Sequence, residues 1–389
     1  MKKLNNILLI VSTFLLLTAC NTTSVRSTQT TPILITGAAI PEELLLDVGI
    51  NIFDPDITKN KTEEVNGYTK ILEAEANYMP FKLMETIQGS GNWGVVRVIP
   101  DKQSEMDVWV DGKIIKSDGA ELELDITVSD ASNSEWYSKR YQQEVSKYAY
   151  DRNTKNSEPF QNLYDEIAND MLLYYRKLSA EKITKIRTIS QLQFAKRFSP
   201  EAFSDYIDTD NKGHLTVKRL PAKTDPLLKR IETIRERDHL FVDTLQDYYA
   251  NFNRQMEEPY LEWRRAYYEE GEALREVNSQ ATKRLIGGVL AFLAGVLAQG
   301  SNSSISRTAG QVGILAGGAA VVGGMKKREE AKIHVEALQE ISASLDAEIE
   351  PHTVNLEERT ITLTGSVNDQ YTQWREVLRE IYRTETGAI

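Results

Sequence analysis

Few residues in this 389-residue chain combine a reactive type with a useful spacing. The sharpest is Cys20, the single cysteine. With no second thiol it cannot close a disulfide within the chain or complete a zinc site of mixed cysteine type. Its setting is informative. Met1-Lys2-Lys3 is a short cationic start, Leu4 to Leu17 is mostly apolar, and Leu17-Thr18-Ala19 closes the run directly before Cys20. A charged head, an apolar middle and small residues before a cut make a secretory signal, with cleavage between Ala19 and Cys20. The apolar run is about fourteen residues, short of the roughly twenty that span a bilayer.

The other reactive patterns fail on context. Gly89-Ser90-Gly91-Asn92-Trp93-Gly94 fits the letters of a dinucleotide fingerprint. A fingerprint follows a strand and opens a helix, whereas this one follows a predicted helix and opens a predicted strand. Trp93 would also crowd a pyrophosphate, so the segment reads as a turn. Asp208-Thr209-Asp210-Asn211-Lys212-Gly213 begins like a calcium loop, but Lys212 and Arg219 stand where oxygen ligands belong, so it reads as a polar turn between helices. His214, His239, His334 and His352 are scattered without metal-ligand spacing. No P-loop and no G-x-S-x-G elbow occurs. Nothing singles out a carboxylate pair for acid–base work. The sequence therefore predicts no catalytic constellation, no metal and no cofactor.

The cysteine following Leu17-Thr18-Ala19 resembles the lipobox of bacterial lipoproteins. The resemblance implies that the Cys20 thiol is acylated and becomes the new amino terminus. Asn21 rather than Asp follows it. Within that family this implies an outer-membrane destination with the protein on the periplasmic face. Two or more buried acyl chains, at about 0.8 kcal/mol per methylene, hold such a protein stably.

Charge agrees with a soluble body. The formal net charge is -11, and it becomes -13 once Lys2 and Lys3 leave with the signal. Nucleic-acid binding needs clustered Lys and Arg, so no nucleic-acid partner is expected.

The elements that must position any site fall into blocks. Asn21 to Thr31 is rich in Thr and Ser and reads as a tether. Leu44 to Phe53 predicts a buried strand, stopped by Asp54-Pro55. Glu73 to Gln88 carries Met79, Leu83, Met84 and Ile87 at helical spacing. Val95 to Ile99, Met106 to Ile115 and Leu122 to Val128 predict strands, the last alternating strictly, with Ser117-Asp118-Gly119 as a turn. Trp136 to Val145 adds a further strand. This order, with the wording VVRVIP and MDVWVDGKIIKSDGAELELDITVSDA, resembles the α/β domain shared by the TolB amino-terminal region and the curli secretion lipoproteins. Phe53-Asp54 and Asp111-Gly112-Lys113-Ile114 carry that likeness, which implies a binding or assembly module.

Residues 158–282 read as helical. The stretch from Leu227 to Val277 predicts extended helices interrupted at Pro259 and packed as a hairpin or coiled coil. Its dense Glu and Arg positions read as a solvated face. Tyr260, Trp263, Tyr267 and Tyr268 read as core packing, with an interfacial belt as the alternative.

Leu285 to Ala298 and Ala309 to Gly324 are apolar arms about a serine-rich turn. Small residues recur at Gly287, Ala291 and Gly295, at Ala309, Gly313 and Gly317, and at Ala316, Ala320 and Gly324. Glycine costs about 1 kcal/mol in a helix relative to alanine, so its repetition implies close helix approach. The pattern resembles a glycine-zipper hairpin. Each arm is roughly 21–24 Å long, under the about 30 Å of hydrocarbon. Partial insertion, a shared oligomeric bundle and burial in the fold are all open. Near the carboxyl end, TLTGSV before a helix resembles part of a BON-type periplasmic domain, with Tyr371 and Trp374 expected on the hairpin.

The chain is thus predicted to be α+β. Its expected segments are a signal peptide (1–19), a lipidated flexible tether (20–40), an α/β binding domain (41–150), a helical stalk (151–284), a glycine-zipper hairpin (285–325) and a helix with a β-hairpin–helix unit (326–389). The expected role is a non-catalytic envelope factor that holds or assembles partners. Its expected partners are membrane lipid through Cys20, envelope proteins and further copies of itself. The alternative is an oligomeric channel or secretion-complex subunit built on the glycine-rich hairpin.

Overall fold

The computed structural model describes residues 31–37, 39–56, 68–100, 105–150, 158–222, 224–297, 352–355 and 360–386, with Glu340 and Ala343. The fold is α+β. Five strands form one sheet in the order β2-β1-β3-β4-β5. They are β1 (Val48–Asn51), β2 (Val96–Ile99), β3 (Val108–Ser117), β4 (Glu121–Asp130) and β5 (Glu135–Glu144). β1 is parallel to β2 and β3, and β3 to β5 form an antiparallel meander. Helix α1 (Tyr68–Gly89) makes the crossover from β1 to β2 that a parallel pair requires.

Alternation decides the two faces. Leu122, Leu124, Ile126 and Val128 of β4 are fully buried, and the residues between them are half-exposed. Leu72, Ala76, Met79, Leu83 and Ile87 form the buried stripe of α1. Helix α2 (Gln161–Tyr175) adds Leu163, Ile167 and Met171 to the same core. The Gly-rich turn after α1 lies between helix and strand, as the sequence predicts, with Gly91 at φ 65°.

Beyond the sheet come α3 (Ala180–Phe198), the short α4 (Pro200–Phe203), and a small hairpin of β6 (Ile207–Thr209) and β7 (Leu215–Val217). The expected polar turn between helices is therefore the tip of a hairpin inside a region read as helical. Asp210 accepts from the Lys212 and His214 amides at 2.8 and 2.9 Å, which spends its carboxylate on the turn itself.

Helix α5 (Pro226–Leu297) is the largest element, with 72 residues in one helix. This corrects the expected interruption at Pro259 and the expected hairpin or coiled coil. Proline removes one amide donor, but Met256, Tyr260 and Trp263 on either side of it are buried in the sheet core and hold the helix through the defect. The part of α5 from Ile231 to Tyr268 contributes to both hydrophobic cores of the body, so it is not a detached stalk. At the carboxyl end, β8 (His352–Asn355) and β9 (Thr360–Leu363) pair ahead of α6 (Val367–Thr386). Trp374 stacks on Phe241 of α5 at 5.0 Å, and it shares a core cluster with Tyr371 and with Leu363 of β9.

Candidate functional site

Two kinds of polar site exist among the described residues. The first is open. The sheet face opposite α1 and α2 carries a groove of about 960 Å³ whose lining includes Asn51, Asp111, Lys113, Asp125, Thr127, Ser138 and Arg140. Cross-strand register sets Asp111 beside Thr127, and Asp125 between Lys113 and Arg140. The Asn51 amide donates to Asp111 at 2.9 Å. Lys113 sits 3.0 Å from Asp56 and 3.4 Å from Asp54. Arg140 forks onto Asp125 at 2.6 and 2.7 Å. Opposite charges are thus paired across the strands, an arrangement that stabilises a solvated sheet face. A smaller cavity of about 220 Å³ shares Asp111 and is lined by Glu105, Trp109, Gln193 and Arg197. Neither lining contains a histidine or a cysteine. Among the described residues, no group of three or more His, Cys, Asp or Glu is placed to hold a metal.

The second kind is closed and lies where α5 meets the body. Near its start, α5 covers the outer edge of the sheet. The Gln246 side chain accepts from the Val98 amide at 2.9 Å and donates to the Val98 carbonyl at 3.0 Å, completing the ladder of β2. Arg97 of β2 forks onto Asp243 at 2.6 and 3.0 Å. One turn earlier, Asp238 accepts from Arg375 of α6 at 2.8 Å, and both residues are almost fully buried. Glu105 lies 2.6 Å from Arg197 and 3.7 Å from Arg375. Burial pushes the Glu105 and Asp238 carboxyls up, against the pull of these arginines. Burial, together with Arg235, Arg97 and Arg375, pushes His239 down to about 3, so its ring stays neutral.

Farther along α5 is a second cluster. Glu75 of α1 accepts from Ser117 at 2.6 Å and from the Tyr260 hydroxyl. Arg264 donates to Glu158, which also accepts from Tyr78 at 3.1 Å. The Arg264 guanidinium stacks 3.8 Å from the Tyr260 ring centroid and 5.0 Å from that of Phe160. Such stacking, with a carboxylate partner, makes a buried arginine tolerable. The β3–β4 turn fits directly beneath: Gly119 has φ 69°, and a Cβ there would lie 2.4 Å from the Arg264 carbonyl oxygen.

The Glu and Arg positions of α5 whose burial is described are exposed or half-buried, as expected of a solvated face, with Arg264 the exception. Arg264, Asp238 and Asn253 are buried beside the apolar stripe that runs through Ile231, Ile234, Val242, Leu245, Tyr249, Phe252, Met256 and Tyr260. Polar residues in phase with an apolar stripe are a signal the sequence carries. Tyr260, Trp263 and Tyr268 are core residues, as read. Of the expected attachment and packing residues, Gly287, Ala291 and Gly295 lie on α5. Ala19, Cys20, Ala309, Gly313, Gly317, Ala320 and Gly324 lie outside the described residues, as does most of the expected hairpin. No helix among the described residues is long and apolar enough to cross a membrane. No protein-family model matches this chain, and neither a curated protein nor a solved structure matches it.

Proposed function

We propose that this chain is a non-catalytic cell-envelope lipoprotein, anchored through acylated Cys20 at the periplasmic face of the outer membrane, that assembles or holds envelope partners. The observation that carries the reading is α5. Its 72 residues span about 108 Å at 1.5 Å per residue, and one unbroken helix joins the α/β body to the small-residue segment Gly287–Gly295. The buried charges of the body are spent on seating that helix, which suits a scaffold. Its partners would be the bilayer through Cys20, and envelope proteins or further copies of the chain through the glycine-rich segment.

The test has two arms. Metabolic labelling with a fatty-acid analogue should mark the wild type and not Cys20→Ser, and the variant should leave the membrane fraction. Photo-crosslinkers at Gly287 and Ala291 should yield protein adducts. Absence of acyl label in the wild type, or a Cys20→Ser variant that fractionates like it, refutes the anchoring. Absence of protein adducts refutes the scaffold role.

A further inference from the structure

Around Glu75 the described residues of the interface between α5 and the body include two buried carboxyls and one buried guanidinium. Glu75 is 0 % exposed, and Tyr260 and Arg264 are 1 % exposed. The groups that face Glu75 can be taken element by element. From α1 comes Tyr78; from the end of β3, the Ser117 hydroxyl; from the segment before α2, Glu158; from α2, Tyr164; and from α5, Tyr260 and Arg264. Tyr150 borders the cluster, donating its hydroxyl to the Gly119 carbonyl. Burial holds the tyrosines protonated. The neighbouring Lys116 is turned onto Asp118 and Glu121. Among the described residues two carboxyls therefore share one guanidinium, and Arg264 is hydrogen-bonded to Glu158. An isolated carboxylate sealed from water binds a proton instead of staying charged. The hydrogen bonds that Oε1 accepts from Ser117 and Tyr260 favour the charged form, but Oε2 accepts from no described residue, so half of the carboxylate would be sealed in without a donor.

We propose that this cluster is a proton-operated latch: a proton on Glu75 keeps α5 seated on the body, and its release to bulk water loosens the helix around Met256–Tyr268. Loosening follows because the sealed anion can regain solvation only if water enters between Glu75 and the α5 side chains that cover it, Tyr260 and Arg264. The latch concerns the α5 interface alone and does not depend on the acyl anchor.

Burial pushes Glu75 up to about 7 from 4.5, despite the opposing pull of Arg264, Ser117 and Tyr260. The seated form is then favoured when protonated, and the preference is lost as pH rises between those values. With 4.5 for the opened carboxyl, the opening constant should rise roughly thirtyfold between about pH 5.5 and about pH 8.5.

The experiment is hydrogen exchange of the full chain at those two pH values, read as protection factors corrected for intrinsic exchange. In the wild type, amides of Met256–Tyr268 should lose protection roughly thirtyfold at the higher pH. Glu75→Gln, neutral at both, should remove the difference. Glu158→Gln frees Arg264 to pair with Glu75 and should move the response to lower pH. Infrared titration of the wild type provides a readout free of mutation, in which a protonated-carboxyl band should disappear with a midpoint near 7. Equal protection at both pH values in the wild type, absence of that band, or an undiminished response in Glu75→Gln would each overturn the latch.

Discussion

Replacing Gly119 with alanine tests whether α5 presses on the β3–β4 turn, and Gly91 supplies the matched control. Both glycines have left-handed backbones, at φ 69° and 65°. They differ in what a side chain would meet. At Gly91 there is nothing within 4 Å, whereas at Gly119 a Cβ would lie 2.4 Å from the Arg264 carbonyl oxygen, with two further backbone atoms of Arg264 close behind. Alanine in the left-handed region costs about 1–2 kcal/mol. Reduced freedom of the unfolded chain returns about 0.4–1 kcal/mol of that. Gly91→Ala should therefore cost about 1 kcal/mol. Gly119→Ala carries the same term plus overpacking against a helix backbone that cannot rotate away, about 1–3 kcal/mol more. Urea unfolding of both variants at one pH, followed by far-ultraviolet circular dichroism, gives the difference directly. Two variants that agree within about 0.5 kcal/mol would mean that α5 does not sit on the turn, and the reasoning about the Arg264 cluster would fail with it.

The other predictions concern the remaining contacts of α5. Asp238→Ala should cost about 3–5 kcal/mol by removing the hydrogen-bonded partner of buried Arg375, which would keep only the longer contact with Glu105, and adding Arg375→Met should recover part of the loss; urea titration of the single and double variants measures both. Gln246→Ala removes the partner of both Val98 main-chain groups and should cost about 1–3 kcal/mol in the same assay. The pH dependence has two opposed slopes. Glu75, raised to about 7, favours the fold when protonated, so its contribution falls from pH 4.5 to 7; its size is about 3 kcal/mol. His239, lowered to about 3 from 6.5, binds its proton more readily when unfolded, so its contribution rises across that window. Stability measured against pH should accordingly lose its alkaline decline in Glu75→Gln and lose part of its acid decline in His239→Gln. Superimposable profiles for the wild type and both variants would contradict the assignments.

Much of the sheet was legible because its signals are local. Strict alternation over Leu122–Val128 marks one buried face, and Ser117-Asp118-Gly119 marks the turn before it. The position of β1 between β2 and β3 was not, because parallel neighbours are set by a crossover and not by an adjacent turn. The hairpin at residues 207–217 was missed for a different reason: each strand has three residues, too few for a period of two to stand out from helical spacing. Pro259 misled because local propensity argues for a break, whereas the aromatic residues around it gain more by staying in the core. In the interface clusters, the partners of Arg264 and Asp238 come from residues 106 and 137 positions away, so neither pairing leaves a mark in a local window.

The buried charges also settle why the long helix sits in one axial position. An apolar stripe alone discriminates weakly against a slip of one turn, since Ile, Leu, Tyr and Phe replace one another along it at similar volume. A slip of one turn moves every α5 side chain by about 5.4 Å. It would separate Asp238 from Arg375 and Arg264 from Glu158 together, leaving sealed charges unpaired at a cost of about 3–5 kcal/mol for each broken pair. The two locks lie 26 residues apart on α5, about 39 Å, so they also resist tilting of the rod between them. Apolar burial holds α5 to the body, and the charge pairs fix its axial position.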